Sequence, residues 1–230
     1  MWNAAADVRW VRGRLSPLPQ GRARHRSYRI PVGTIVRAPL ESLRPTQAVV
    51  GMGSVSRKLE KLERRALEPK RLEKTLMKRP IPAVYGPDGG FFIVDHHHFG
   101  LALCRGEFES AYVHVIADAA ELPRAAFWNR MQAEGRVYLF DERGERIPPS
   151  LLPSSLSDLR HDPFRDFAFY VRQAGGFGKA EVPYAEFRWA NFFRKHMEAS
   201  TIARDPKGAI RQALKLCKCR DAAGLPGFLY

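Results

Sequence analysis

The sequence predicts an α/β fold of the mixed α+β kind, in which a small mixed sheet is followed by a helical C-terminal subdomain rich in aromatic residues. Short apolar strands alternate with segments of helical spacing over residues 34–147, which predicts one compact α/β domain. From residue 148 the chain is first rich in Pro and Ser and then forms aromatic-rich helices, over residues 148–230. Residues 1–33 carry many Arg together with Pro and Gly, which predicts a basic flexible arm.

The first part of the α/β domain is predicted to contain a strand at residues 34–37, a loop at residues 40–47 and two basic helices. Ser54 is the expected N-cap of the first helix. Its apolar residues recur at intervals of four, three and four, which places them on one face: Val55, Leu59, Leu62 and Ala66. Pro69 suits the first turn of the second helix, because a proline there loses no hydrogen bond.

A hairpin and a third helix follow. Residues 81–85 and 91–94 read as strands around a turn rich in Gly and Pro, at residues 86–90. Asp95 is the expected N-cap of the helix, and Gly106 its C-terminal stop. The run Asp95-His96-His97-His98 therefore falls at the junction between a strand and a helix.

This junction is the predicted functional site. The first turn of a helix has unpaired backbone N–H groups and the positive end of the helix dipole, so it favours anions such as phosphate. Histidine transfers protons near neutral pH. We therefore take Asp95, His96, His97 and His98 as the candidate catalytic residues. The plainer alternative is a capped, exposed polar turn. A metal site, in which a histidine pair joins Asp95 or His114, is less favoured because adjacent helical residues point about 100° apart.

The remaining segments predict a strand at residues 111–116, a helix at residues 121–132, a short strand or hairpin at residues 137–144 and three C-terminal helices. Aromatic residues recur at helical spacing in two of these helices, namely Phe164, Phe167, Phe187 and Phe193. Such residues are more often core than platforms for nucleobases.

Composition narrows the class of protein. Hydrophobic residues make up 45% of the 230 residues, and no apolar run reaches the roughly 20 residues of a membrane helix. The start of the chain has no apolar segment typical of a secretory signal, so a cytoplasmic location is expected. Three cysteines are too few for a disulfide scaffold and are expected to be reduced.

The net charge of +14 is concentrated in the N-terminal third of the chain. Residues 1–80 contain 19 Lys and Arg against 6 Asp and Glu, whereas residues 81–230 contain 19 against 18. Such an asymmetry predicts an anionic partner, first nucleic acid and then a nucleotide, although solubility alone also explains excess charge. The residues expected to contact nucleic acid are Arg22, Arg24, Arg26, Lys61, Arg64 and Arg65.

Three segments resemble the ParB/sulfiredoxin superfamily, and in particular its group of ParB-like nucleases. They are residues 43–47 with Val50-Gly51, the Gly86-Pro87 turn leading to Ile93 and the Asp95–His98 run, and Phe187-Arg188-Trp189-Ala190. The resemblance covers about residues 36–200 and implies a ParB/sulfiredoxin-like domain. In that superfamily the loop before the helix reads D-G-x-x-R or G-x-H-R and cradles a nucleotide phosphate. Here Phe99 follows the histidines and the terminal arginine is absent.

The resemblance indicates where a ligand would bind, but it is compatible with several reactions. The first hypothesis is a nuclease or phosphohydrolase. The second is a non-catalytic, partition-type module that binds nucleic acid and switches with a nucleotide. The third is a kinase of a small molecule, similar to free-serine kinases. The expected phosphate contacts are Thr46, Gln47, Arg57 and Lys58, the expected cofactor is a nucleotide with Mg²⁺, and no protein-held metal is expected. The sequence does not predict the oligomeric state.

Overall fold

The computed structural model describes the backbone of residues 8–11 and 14–17 and the whole of residues 30–230. Within these residues the chain forms nine strands, named in order: β1 Val8–Val11, β2 Arg14–Pro17, β3 Ile35–Pro39, β4 Leu43–Pro45, β5 Val49–Val50, β6 Ile81–Tyr85, β7 Phe91–Ile93, β8 Ser110–Asp118 and β9 Arg160–His161. The same residues contain eight α-helices: α1 Met52–Ala66, α2 Pro69–Met77, α3 His97–Arg105, α4 Arg124–Ala133, α5 Pro163–Gln173, α6 Ala185–His196, α7 Ala199–Arg204 and α8 Pro206–Leu216.

The chain divides into two units that interleave along the sequence. Unit 1 consists of Met1–Ala48, Val55–Leu139 and Pro148–Leu159, and unit 2 of Val49–Ser54, Phe140–Ile147 and Arg160–Tyr230. The domain boundaries predicted from the sequence, with an arm over residues 1–33, stay predictions.

Unit 1 is built on a mixed sheet with the strand order β2-β1-β3-β8-β6-β7-β4. The pairs β6–β8 and β4–β7 are parallel, and the others are antiparallel. Alternating residues of β3 and β8, such as Val36 and Val113, are completely buried. The predicted α/β class with a small mixed sheet and a helical C-terminal part is therefore confirmed.

Two helices of unit 1 pack against β7. In α3, Gly100 lies so close to Leu156 and Ile93 that an added Cβ would come within 2.9 Å of a Leu156 methyl group. In α4, Phe127 packs against Phe92 with 4.5 Å between ring centroids. Because β7 is held by both helices, the chain that leaves it has a defined position.

Several local predictions are confirmed. The helix that begins with Pro69, the strand at residues 81–85 and the stop at Gly106 all occur. Others are wrong. Residues 43–45 of the predicted loop form β4, because they pair with β7, which is distant in sequence. Ala66 is exposed rather than part of the apolar face of α1. Of the two alternatives for residues 137–144, a regular strand does not form, whereas Phe140 and Arg146 form an antiparallel bridge on either side of the turn.

Unit 2 has an aromatic core. Trp189 is completely buried, stacks on Phe177 with centroids 4.2 Å apart, and donates its indole N–H to the Pro226 carbonyl oxygen over 2.7 Å. Phe164, Phe167, Phe187 and Phe193 are buried, so their predicted role as core residues is confirmed. The buried carboxylate of Asp162 accepts a hydrogen bond from the Arg194 guanidinium group over 2.7 Å. The negative and positive charges of this pair neutralise each other.

The N-terminus of α1 is capped from within unit 2. The backbone N–H groups of Gly53 and Ser54 donate to the two carboxylate oxygens of Asp166, over 2.7 Å and 3.2 Å. α1 begins at Met52, so Ser54 lies inside the helix and its prediction as the N-cap is wrong. The carboxylate of Asp166 satisfies these N–H groups instead and lies at the positive end of the helix dipole.

None of the helices in the described part of the chain is long and apolar enough to cross a membrane. The three cysteines, Cys104, Cys217 and Cys219, are all free thiols.

We expect Gly51→Ala to destabilise the protein by about 1–3 kcal/mol, because the new methyl group overpacks the cap. A Cβ at residue 51 would lie 2.3 Å from Asp166 Oδ1 and 3.1 Å from the Asp166 backbone nitrogen. Urea unfolding measures the change. Gly224→Ala is the matched control, since no atom lies within 4 Å of its added Cβ, and it should change stability by less than about 0.5 kcal/mol. Equal effects of the two substitutions would contradict this description of the cap.

Candidate functional site

The candidate site lies where the parallel strands β4 and β7 end side by side. Pro45 is opposite Ile93 in the register. The residues that follow the two strands, Thr46 and the Asp95–His98 run, therefore leave the sheet at the same edge. The hydroxyl of Thr46 donates a hydrogen bond to the Ile93 carbonyl oxygen over 2.8 Å, which ties the two chain segments together.

His97 occupies the first position of α3 and is only 3% exposed. Its Nε2 accepts a hydrogen bond from the backbone N–H of Thr46 over 3.1 Å. Burial lowers the pKa of His97 to about 3, and the charge of Asp95 opposes this only in part. The ring is therefore neutral at pH 7, and because Nε2 is an acceptor the ring proton is on Nδ1. In this state the side chain of His97 positions the start of α3 against Thr46.

The start of α3 differs from the prediction that Asp95 is its N-cap, which is wrong. His96 holds that position in the left-handed conformation, with φ 65° and ψ 20°. Asp95 Oδ1 accepts a hydrogen bond from the backbone N–H of His96 over 2.6 Å. The carboxylate therefore caps the residue next to it and not the first turn of α3. A non-glycine residue in this conformation costs about 1 kcal/mol, and such strained residues cluster at functional sites.

His96 is half-buried and lies in a positively charged environment. Burial lowers its pKa below the usual 6.5, the charge of Asp95 raises it, and the charges of Lys58 and Arg79 lower it further. The side chain is therefore neutral at pH 7. Its Nδ1 is buried without a hydrogen-bond partner among the described residues. The two cations and the helix N-terminus favour an anionic ligand. A neutral imidazole can accept a proton in a reaction of such a ligand.

Of the other predicted residues, Lys58 lies close enough to the site for its charge to act on His96. Arg57 precedes Lys58 on α1 and is half-buried, and His98 is half-buried in the first turn of α3. Thr46 and Gln47 are buried, and Gln47 forms a parallel bridge with Tyr138. Their backbone and side chains hold the loop in place, and a direct contact of either side chain with ligand stays a prediction.

The predicted nucleic-acid contacts lie along α1 or outside the described residues. Lys61 and Arg64 are exposed and Arg65 is half-buried, so the second half of α1 presents a basic surface. Arg22, Arg24 and Arg26 fall outside the described residues.

Sequence reasoning missed Arg79 as a site residue. It follows α2 directly and precedes β6, and the sequence suggested it only as one cation of a basic helix. Its exposed side chain contributes to the electrostatic environment of His96. The parallel pairing of β6 with β8 places the end of α2, and this pairing cannot be read from the local pattern around residue 79.

Within residues 30–230, no three His, Cys, Asp or Glu side chains come together as a metal-binding group. Asp95 is the carboxylate within the histidine run, and Thr46 rather than an ion occupies Nε2 of His97. A divalent cation at this site would therefore depend on oxygen atoms of the ligand as well as on the protein.

Comparisons with known proteins identify the family and the fold of the chain. Residues 36–195 match a protein-family model described as "Putative ParB-like nuclease". The chain is also similar to protein Atu1540 from Agrobacterium tumefaciens, known from a crystal structure. The two share 33% sequence identity over 85% of this chain and 97% of that chain, with a TM-score of 0.76. No curated protein matches the chain.

We expect the neutral state of His97 to make stability depend on pH. The folded-state pKa of about 3 lies below the unfolded value of 6.5, so the unfolded state binds the proton first as pH falls. Stability from this residue is complete above about pH 6.5 and declines toward pH 3, with a slope approaching about 1.4 kcal/mol per pH unit. Urea unfolding at several values between pH 5 and 7 measures it.

His97→Gln is the informative comparison, because glutamine keeps a hydrogen-bond acceptor for Thr46 but does not titrate. Its stability should vary less between pH 5 and 7 than that of the unmodified protein. Parallel pH profiles for the two proteins would show that His97 is not a buried neutral histidine.

Proposed function

The chain belongs to the ParB-like nuclease family, and from this premise we propose that it binds a phosphate group of a nucleotide or nucleic acid at the Asp95–His98 junction and hydrolyses a phosphate ester there. The observation that carries the proposal is the buried, unpartnered Nδ1 of His96. This nitrogen lies on a neutral ring whose environment contains the charges of Lys58 and Arg79.

The three histidines would have different roles at the site. His96 is the candidate general base, because its lowered pKa keeps the ring unprotonated and able to accept a proton from an attacking water. His97 is a positioning residue, since its Nε2 is already engaged by Thr46. His98, in the first turn of α3, is the second candidate for contact with the ligand.

Charge stabilisation would come from the helix N-terminus and from cations. The start of α3 carries the positive end of the helix dipole, which favours phosphate oxygens. Lys58 and Arg79 are the cations whose charges act on His96, and Arg57 precedes Lys58 on α1. These groups would take the place of the arginine that ends the phosphate loop in the superfamily. Asp95 would fix His96 through its backbone hydrogen bond.

The second candidate function is nucleic-acid binding without catalysis. It is supported by the exposed cations of two consecutive helices, which include Lys61 and Arg64 of α1 and Lys70, Arg71 and Lys74 of α2. Such a surface neutralises backbone phosphates regardless of base sequence. The same surface would bring a nucleic-acid substrate to the histidines if the protein is a nuclease. The basic helices therefore support a nucleic-acid partner under either function.

We expect His96→Gln to lower phosphate-ester hydrolysis by about 10²–10⁴-fold, the usual contribution of a general base. The measurement is turnover of bis-(p-nitrophenyl) phosphate, nucleotides, and single- and double-stranded DNA and RNA, each with Mg²⁺, Mn²⁺, Zn²⁺ or EDTA. His196→Gln, an exposed histidine at the end of α6, is the matched control and should leave the rate unchanged. The absence of turnover by the unmodified protein with every substrate and metal would remove the hydrolase and leave the binding function.

We expect Lys58→Ala to weaken binding of a labelled single-stranded oligonucleotide and to reduce its salt dependence. Each phosphate contact contributes about 0.7 to the slope of the logarithm of Kd against the logarithm of salt concentration, so the slope should fall by about that amount. Fluorescence anisotropy across a range of NaCl concentrations measures it. Lys207→Ala, an exposed lysine of α8, should leave the slope unchanged. An affinity independent of salt in the unmodified protein would contradict phosphate recognition.

A further inference from the structure

Unit 1 contains a concave site along the exposed edge of its sheet. This edge groove has a volume of about 800 Å³ and follows β4, the last strand of the sheet, and one side of α4. Its lining includes two arginines, two aromatic rings and two amides, namely Arg44, Arg124, Phe92, Trp128, Asn129 and Gln132. Neither the histidines nor Lys58 are among the groove residues. The volume is in the range of pockets that bind small molecules.

The floor of the edge groove is aromatic. Phe92 of β7 and Trp128 of α4 meet at 88° with 5.5 Å between their ring centroids, and Phe127 contacts both rings from the core. This packing fixes the indole while leaving it half-buried rather than fully covered. A rigid, partly exposed tryptophan is a surface on which a flat ring stacks with little loss of entropy.

One side of the edge groove carries a positive charge that is held in place. Arg44 of β4 donates from its guanidinium group to the backbone carbonyl oxygens of Glu41 and Leu43. It forms no ion pair with any carboxylate of residues 30–230, so its charge is not neutralised there. By contrast, Arg124 pairs with Asp88 over 2.5 Å at the rim. Arg44 is therefore the groove's cation for an anionic group, for which guanidinium geometry is well suited.

The other side of the edge groove offers amide groups. Asn129 and Gln132 are exposed on α4. The Gln132 amide donates to the Trp128 carbonyl oxygen over 3.3 Å, which orients its side chain. Asparagine and glutamine side chains present a donor and an acceptor together, the combination that pairs with the edge of a nucleobase.

We propose that the edge groove binds a nucleoside monophosphate. Its base would stack on Trp128, the base edge would contact Asn129 and Gln132, and its phosphate would bind Arg44. An aromatic floor, one unneutralised guanidinium group and a pair of amides together match the three parts of such a ligand. This site is separate from the histidine junction and does not depend on hydrolysis there.

The test uses AMP and adenosine, titrated separately into the full-length protein by calorimetry. AMP should bind more tightly than adenosine. Arg44→Gln should raise the Kd for AMP by about tenfold, because it removes a charge-assisted contact, and leave the Kd for adenosine unchanged. Arg105→Gln is the matched control, since this exposed arginine ends α3 and is not a groove residue, and it should change neither value.

Trp128→Leu should raise the Kd for both ligands by about fivefold or more, because it keeps apolar bulk but removes the flat ring. If this variant proves unfolded by thermal melting, Asn129→Ala, at an exposed position, should weaken both ligands instead. The proposal is overturned if AMP does not bind at millimolar concentration or if Arg44→Gln leaves its Kd unchanged.

Discussion

The hydrogen bond between the Thr46 backbone N–H and Nε2 of His97 is the contact on which the candidate site depends. A buried N–H group requires an acceptor, and an imidazole supplies one only when it is neutral. Burial of His97 keeps it neutral, with a pKa lowered to about 3. The contact therefore joins the end of β4 to the start of α3, and a residue of β7 completes it, because Ile93 accepts from the hydroxyl of Thr46.

The placement of the neighbouring residues follows from this contact. With His97 turned inward, the residue before it adopts a left-handed conformation to connect β7 to α3, and Asp95 supports that conformation. His96 is thereby left half-buried, with an unpartnered Nδ1, in the field of Lys58 and Arg79. Three consecutive histidines thus have different environments. His97 is a structural acceptor, and His96 has a neutral, half-buried ring, which is the protonation state that a general base requires.

The fold class and the family could be predicted from the sequence, whereas the functional role of the histidine run stays a prediction. Periodicity and turn residues predicted most helices and the β6–β7 hairpin, since these depend on local chemistry. The features it missed depend on contacts between distant segments. β4 exists because it pairs with β7, α1 is capped by Asp166 and not by Ser54, and His96 rather than Asp95 holds the N-cap of α3. Likewise, no local pattern distinguishes a buried His97 from a half-buried His96.

The candidate site depends on the protonation states of His96 and His97, which long-range ¹⁵N–¹H correlation spectra of the labelled protein report across pH. His97 should show the tautomer protonated on Nδ1 and should not titrate between pH 5 and 8. His96 should titrate below 6.5, and added phosphate should shift its signals but not those of His97. A His97 signal that titrates near 6.5, or that shows the tautomer protonated on Nε2, would contradict the account.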